Sequence, residues 1–362
     1  MVIVSISILT GKIIITKPSM TLKNSKVCCF SDLHLGVHQN SSQWHDIAIE
    51  FGKWLKRELK ERDIKDIIFC GDLLHYRDEI AVNTIQATSE FLNLLKEFNI
   101  IMIPGNHDCY FKNNSSVHSL SILKGHKNIT VLDKPTTEIF FGKTLTFAPW
   151  GTDMTEMPAS DIIFGHFEIA TFKLNEIKIC EHGMTSENLL SRAPLVISGH
   201  FHTRQEREYS TGKIVYLGSP YHMDFGDSGP RGFTILNIEN NQMNFVQNDV
   251  SPVHIKVSLS EVKNDSVVLN KKLVKNNFIK IIVDTNYEPE EVEELIKTVN
   301  TASPNNLTID YKYNTAVQKI VSDVDFASVD VADAIKEFIN KLDIENKKSI
   351  IDYTLELYQK SK

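Results

Sequence analysis

Nine side chains able to bind a metal or move a proton stand where short apolar runs stop: Asp32, His34, Asp72, Asn106, His107, Asp108, His166, His200 and His202. Most follow a glycine, in Gly71-Asp72, Gly105-Asn106-His107-Asp108, Gly165-His166 and Gly199-His200-Phe201-His202. Any one of these histidines alone would read as a surface or satisfied core residue. Together, at the carboxyl ends of buried strands where α/β sheets place their chemistry, they read as one constellation. Residues two apart share a strand face, so Asp32 with His34, and His200 with His202, are each expected to aim two ligands at one point. Oxygen and imidazole donors without thiolate suit Mn²⁺, Fe²⁺ or Zn²⁺ better than Mg²⁺.

The donor count suggests two metals. Asp72 stands alone after its strand and is the natural bridge, because a carboxylate has two oxygens. With Asp32 and Asp72 as the only anionic ligands, two divalent ions keep about two positive charges uncancelled. That surplus attracts a phosphodiester and lowers the pKa of a bridging water toward a usable hydroxide. Phosphoester hydrolysis is the expected reaction.

The elements that must carry these residues follow from periodicity. Residues 26–31 form a short apolar strand that ends at Asp32. Over 44–63 the period is helical, with Ile47, Phe51, Leu55 and Leu59 in one stripe. A second buried strand, 66–70, is closed by Gly71-Asp72. A further helix is expected over 81–98 with Ile85, Leu92 and Leu95 on one side, before the strand that leads to Asn106. Strands alternating with helices mean a parallel sheet with right-handed crossovers. Past Asn128 hairpins dominate, at 138–148, 207–218 and 232–247, with apolar strands at 161–165 and 195–199. The expected fold of 26–250 is two stacked sheets with helices outside, a four-layer α/β/β/α sandwich.

Residues 251–322 are expected to form a small α+β unit, and 323–362 a pair of amphipathic helices at 330–342 and 346–360. The stripe Ala332, Ile335, Ile339 and Leu342, with further apolar residues on the second helix, suits docking into a partner's groove. Residues 1–25 read as an extension: strands at 2–9 and 13–16 about Gly11-Lys12, either an extra hairpin or an edge strand, unless Met20 is the true start. They lack the basic n-region and small-residue cleavage site of a signal peptide.

Composition sets outer bounds. At 362 residues, 42% apolar and 23% charged, the chain is a globular protein of more than one domain. A formal net charge of −7 excludes grip on nucleic acid by bulk electrostatics alone. Focal positive charge must come from metal, a basic patch or a partner. Cys28, Cys29, Cys70, Cys109 and Cys180 lack C-x-x-C spacing and read as small buried hydrophobes in a reducing cytoplasm. No apolar run is long enough to span a membrane. His38, His45, His118, His126, His222 and His254 are expected at the surface or in loops, His75 is read as structural, and Arg231 as a phosphate contact or a structural arginine.

The sequence also resembles a known family. Asp32-x-His34, Gly71-Asp72, Gly105-Asn106-His107-Asp108, Gly165-His166 and Gly199-His200-x-His202, in this order, are the signatures of calcineurin-like metallophosphoesterases. Asp32-Leu-His-Leu-Gly36, Gly165-His-Phe-Glu168, Ser198-Gly-His-Phe-His-Thr203, Tyr216-Leu-Gly-Ser-Pro220 and Gly229-Pro-Arg-Gly-Phe233 look like the SbcD/Mre-type DNA repair nucleases. The nearest likeness is to the recombination endonuclease subunits of tailed phages. The resemblance implies that Asp32, His34, Asp72 and His202 hold one metal, and Asp72, Asn106, His166 and His200 the other. It makes His107 the group at the leaving oxygen, with Asp108 orienting its imidazole. It further implies two manganese ions, exonuclease action on duplex DNA ends and endonuclease action on single strands, in recombination and double-strand-break repair. A homodimer through the helices at 44–63 and 81–98, a capping domain at 251–322, and an SbcC/Rad-type SMC-like ATPase partner held by the C-terminal helices complete the picture. The location would be cytoplasmic, in the host cytoplasm for a phage protein. The competing reading is a calcineurin-like phosphatase or phosphodiesterase acting on a small molecule or phosphoprotein. Protein phosphatases of this class carry Gly-Asp-x-Val-Asp-Arg-Gly and Gly-Asn-His-Glu, whereas here Leu73-Leu74-His75-Tyr76-Arg77 follows Asp72 and Asp108 replaces the glutamate.

Overall fold

The computed structural model describes residues 6–9, 12–15, 20–174, 178–264, 267–284, 289–312, 331–342 and 346–360. The chain divides into two compact units, 1–255 with 276–278, and 256–275 with 279–362.

At the start of the first unit, β1 (Ile6–Leu9) and β2 (Lys12–Ile15) pair as an antiparallel hairpin. The rest of 1–19 lies outside the described residues. The apolar runs that follow become strands β3 (Lys26–Phe30), β4 (Asp66–Phe69) and β5 (Asn99–Met102). They pair in parallel, with Val27 opposite Asp66 and Asp66 opposite Asn99. β6 (Ile129–Val131) extends the sheet beside β5. The second sheet is made of β7 (Thr136–Phe140), β8 (Lys143–Ala148), β9 (Ile162–His166), β10 (Leu195–Gly199), β11 (Gln205–Tyr209) and β12 (Gly212–Tyr216). Its order is β11-β12-β10-β9-β8-β7, with β8, β9, β10 and β12 as parallel neighbours. The chain then returns to the first sheet, where β13 (Gly232–Asn237) and β14 (Met243–Gln247) close the side beyond β3 antiparallel. The first sheet thus runs β14-β13-β3-β4-β5-β6.

Alternation along each strand builds the layers. Val27, Cys29, Ile68 and Ile101 face Phe147, Ile162, Phe164 and Ile197 between the sheets. Cys28, Phe30, Ile67 and Phe69 point the other way, onto helices α1 (Ser42–Glu61) and α2 (Val82–Leu94). Across the second sheet, Ile163, Val196 and Tyr216 are covered by Phe172, Phe201 and the short helix α3 (Ser186–Leu190). The result is the expected four-layer α/β/β/α sandwich, although its outermost layer is mainly loop. All five cysteines are buried and free.

Ile47, Phe51, Leu55 and Leu59 are the buried stripe of α1. The helix stops at Asp63, whose φ of 52° lets Ile64 N–H donate to the Leu59 carbonyl at 2.9 Å. The stripe expected on α2 needs correction. Thr84, Ala87, Thr88, Phe91 and Leu92 are buried, while Ile85 is 48% and Val82 81% exposed. Ile85 sits one residue, about 100°, off the buried row. His45 and His118 are also not surface residues. His45 Nε2 pairs with Thr84 Oγ1 at 3.0 Å under α2, and His118 Nε2 lies 3.4 Å from Asp133.

The second unit carries a three-stranded sheet of β15 (His254–Ser258), β16 (Phe278–Val283) and β17 (Asn306–Tyr311), with β16 in the middle. It also holds α4 (Leu259–Lys263), α5 (Lys271–Val274) and α6 (Pro289–Thr301). Leu259, Val283 and Val292 form its small core. Pro289 and the acidic pair Glu290 and Glu291 open α6, as a helix N-terminus favours. Residues 313–330 lie outside the described residues. Beyond them, α7 (Val331–Lys341) and α8 (Lys347–Lys360) contact one another. Ile339 is buried, whereas Ile350, Tyr353 and Leu357 of α8 are exposed. Among the described residues no helix is long and apolar enough to cross a membrane.

Candidate metal centre

All nine residues singled out above come together at the strand exits of the first unit. Left-handed turns deliver them. Asp32 (φ 56°), His34 (φ 48°), Asp72 (φ 61°) and His200 (φ 95°) all occupy a region that side chains other than glycine rarely adopt. Such backbone costs about 1–3 kcal/mol per residue and persists where surrounding structure over-determines it. Here Asp32 N–H donates to the Gly71 carbonyl at 2.9 Å, His34 N–H to the Asp72 carbonyl at 3.1 Å, and Tyr221 Oη–H to the Leu33 carbonyl at 2.6 Å.

This geometry replaces the strand-face argument, because β3 ends at Phe30, before Asp32. His200 and His202 diverge accordingly. His202 Nε2 faces His34 Nε2 at 3.0 Å, while His200 Nδ1 meets Asn106 Oδ1 at 2.9 Å. Asn106 Oδ1 is also 2.9 Å from His166 Nε2.

Asp72 lies between the two halves. Its Oδ2 is 3.5 Å from His34 Nε2 and 3.4 Å from His166 Nε2, and its Oδ1 accepts the His107 N–H at 2.8 Å. Asp32 closes the floor, accepting from Ser31 Oγ at 2.5 Å and from the His200 amide at 3.1 Å. Two glycines make room. A Cβ on Gly71, at φ 95°, would sit 2.5 Å from His166 Nδ1, and one on Gly105 would overlap Asp72 Oδ1.

Burial and charge move the site's groups away from their ordinary pKa values. Burial opposes ionisation of Asp72, but His166, His34 and His107 hold its carboxyl well below the usual range. Burial likewise opposes protonation of His166, yet Asp72 and Asp32 keep that imidazole up at about 9. Burial and neighbouring imidazoles push His200 down to about 3, and burial drives His34 well below its ordinary value. Bound cations would compete with the proton on His166 for the same lone pair, so the centre offers carboxylates and imidazoles converging on shared points.

This donor set fits two divalent cations. The ligating atoms of Asp32, His34 and His202 all lie within 4.8 Å of one another, as do those of Asp32, Asp72 and His166. His34 Nε2 and His202 Nε2 can share only one proton, so a cation satisfies both lone pairs better. The set lacks thiolates, which favours borderline metals bound by oxygen and nitrogen.

Asp108 does not orient His107. Its Oδ2 accepts from the Asp72 and Gly105 amides at 2.8 and 2.9 Å, and its Oδ1 from Leu73 and Leu74 at 3.0 and 3.1 Å. Four amides occupy the four lone-pair positions of a carboxylate. Burial and Asp72 push its carboxyl up to about 7 against those donors. The His107 ring is held instead by the His75 carbonyl, 2.7 Å from Nδ1.

Two further residues belong to the site. His75, which the sequence reading makes structural, stacks on His107 with centroids 5.2 Å apart, and its Nδ1 lies 3.4 Å from His34 Nδ1. Trp150 tilts over His200, centroids 5.2 Å apart. Its signal in the sequence is Pro149-Trp150-Gly151, a turn that follows the apolar run of β8 just as the other site turns follow theirs. Arg231 is structural: it is buried, pairs with Asp227 at 2.9 Å and donates to Ser219 Oγ at 3.1 Å.

A family model described as calcineurin-like phosphoesterase matches residues 25–204. That stretch contains every residue of the centre. The chain carries a calcineurin-like metallophosphoesterase domain. It is also 26% identical over 357 residues to Exonuclease subunit 1 of Enterobacteria phage T4, covering 92% of this chain and 98% of that protein. The SbcD component of nuclease SbcCD from Staphylococcus epidermidis is 25% identical over 257 residues, 60% of this chain and 67% of that protein. Among solved structures, an archaeal phosphodiesterase is 14% identical with a TM-score of 0.35, covering 62% of this chain and 99% of that one. A dimetal phosphatase from Danio rerio is 9% identical with a TM-score of 0.39, covering 60% of this chain and 94% of that one. The family model, together with the donor cluster it spans, makes this metallophosphoesterase a phosphoester hydrolase with a centre suited to divalent metal.

Proposed function

We propose that this metallophosphoesterase is a DNA nuclease that works with two manganese ions. The observation that carries the reading is Asp72 Oδ2, placed almost equally far from His34 and His166 at 3.5 and 3.4 Å. One carboxylate can thereby join two ligand groups: Asp32, His34 and His202 on one side, Asn106, His166 and His200 on the other. Likeness to a phage exonuclease subunit over nearly both full lengths supports DNA as the substrate.

Bound divalent cations would supply the positive charge that draws in a phosphodiester and the acidity that makes water a nucleophile near neutral pH. The protein's own contribution is positioning. With Nδ1–H donated to the His75 carbonyl, His107 presents Nε2 as the ring atom that takes or delivers a proton at the leaving oxygen. Asp108 holds the backbone of 72–74 and 105 in place, and with it Asp72.

The wider assembly belongs to the same proposal. Exposed Val82 and Ile85 on α2 suit a homodimer contact, and the exposed row Ile350, Tyr353 and Leu357 on α8 suits the root of an SbcC/Rad-type ATPase coiled coil. The second unit would act as the cap that selects DNA ends for exonuclease action or single strands for endonuclease action, in recombination and break repair. The protein's expected setting is the cytoplasm, that of the host for a phage protein, in keeping with five free thiols.

The test is Mn²⁺-dependent degradation of linear duplex DNA by the purified protein, stimulated by the ATPase. Hydrolysis of cyclic dinucleotides or phosphopeptides, with DNA left intact, would overturn the reading in favour of a phosphatase or small-molecule phosphodiesterase.

A further inference from the structure

The loop that follows Asn106-His107-Asp108 holds two aromatic side chains in the open. Tyr110 and Phe111 are 55% and 44% exposed and meet edge to face with centroids 5.2 Å apart. The loop is braced. Tyr110 N–H donates to the Val117 carbonyl at 2.9 Å, and Ser119 N–H to the Asp108 carbonyl at 2.8 Å. Ser115 Oγ donates to the Asp133 carbonyl at 3.0 Å. Trp150, whose ring contacts His200, donates from Nε1 to the Lys112 carbonyl at 2.7 Å. At Gly151 any Cβ would come within 2.5 Å of the Asn113 carbonyl oxygen, so the loop lies flat against that turn.

We propose that Tyr110 and Phe111, braced by Trp150, form a stacking platform for unpaired DNA bases next to the phosphodiester under attack. The proposal rests on the nuclease reading and specifies its substrate. Aromatic faces accept any base, because every base has a π-face. A chain of net charge −7 cannot hold a strand by bulk electrostatics, so stacking supplies a sequence-independent grip that charge does not. Lys112, exposed beside the pair, adds one cation for the strand's backbone. Paired bases in a duplex hide their faces, so the platform serves single strands and frayed ends.

The test compares a short oligothymidylate with an abasic strand of equal length, in the presence of Mn²⁺, using the full chain. The wild type is expected to cleave the base-bearing strand with a KM lower by about tenfold, the size of one stacking interaction. Replacing both residues (Tyr110→Ala with Phe111→Ala) should raise the oligothymidylate KM by about tenfold and erase the difference, with kcat little changed. Tyr110→Phe with Phe111→Tyr should restore it. Hydrolysis of methyl p-nitrophenyl phosphate should be equal in all three proteins, which shows that the centre is intact. A wild type blind to the missing bases, or an alanine variant that keeps the preference, would overturn the platform. Hydrolysis of the small diester with neither strand cut would instead mean that the nuclease reading itself has failed.

Discussion

The Nε2 atoms of His34 and His202 lie 3.0 Å apart, although the two residues are separated by 168 positions in the chain. One proton shared between them leaves the arrangement half used, whereas a cation would take both lone pairs, and Asp32 and Asp72 stand within reach of the same point. The pairing draws together the exits of β3 and β10, one strand from each sheet. The two-sheet sandwich thus exists, from the centre's point of view, to make this meeting.

Chelation should therefore destabilise the fold. A ligand present at a hundred times its Kd stabilises by about 2.7 kcal/mol. Removing Mn²⁺ with EDTA is expected to lower the melting temperature of the first unit by about 5–10 °C. Scanning calorimetry with and without chelator measures it, and unchanged melting would argue against cations at these donors.

His107→Asn should separate binding from chemistry. The hydrogen bond from His107 to Asp72 comes from the backbone N–H, so the side chain can change without removing that anchor of the carboxylate. The variant is expected to keep its metal while turnover falls by about 10²–10⁴-fold, the usual worth of a positioned acid or base. Metal analysis beside single-turnover cleavage decides it. An emptied centre would make His107 a ligand.

Asp108→Ala should behave as a folding defect. It strips the acceptor from four buried amides, at Asp72, Leu73, Leu74 and Gly105. A loss of about 3–5 kcal/mol is expected, read as a lower urea midpoint together with lost metal. A residue that merely oriented His107 would lower turnover and leave the urea midpoint in place.

Much of this centre is legible in the sequence. Each apolar run that ends in glycine and a polar residue becomes a strand exit, and the four-residue period of Ile47, Phe51, Leu55 and Leu59 becomes a buried stripe. What stays hidden depends on long-range packing. The left-handed turns at Asp32, His34, Asp72 and His200 are imposed by neighbouring loops, not by their own sequence. Asp108 looks like a partner for the adjacent histidine, but the amides that donate to it lie mostly at 72–74, more than thirty residues earlier. His45 and His118 are buried by partners, Thr84 and Asp133, that local patterning cannot pair with them. Ile85 fails for a simpler reason: one residue's rotation moves it off the packed face.

Gly105→Ala should be as damaging as the loss of a ligand. The added methyl would displace Asp72 Oδ1, and a misplacement of about 1 Å in a catalytic centre costs about a hundredfold in rate. Far-ultraviolet circular dichroism should remain native while metal affinity and turnover drop. Activity equal to the wild type would mean that Asp72 tolerates displacement and is not the shared ligand.

Asp72→Asn tests the central claim most directly, through the number of manganese ions retained per chain after exhaustive dialysis, measured by elemental analysis. Wild-type protein is expected to hold two, and the variant at most one, because an amide offers a single oxygen and no charge to join the His34 and His166 sides. A wild type that retains only one ion, or an Asp72→Asn protein that still retains two, would contradict a dinuclear centre bridged by Asp72.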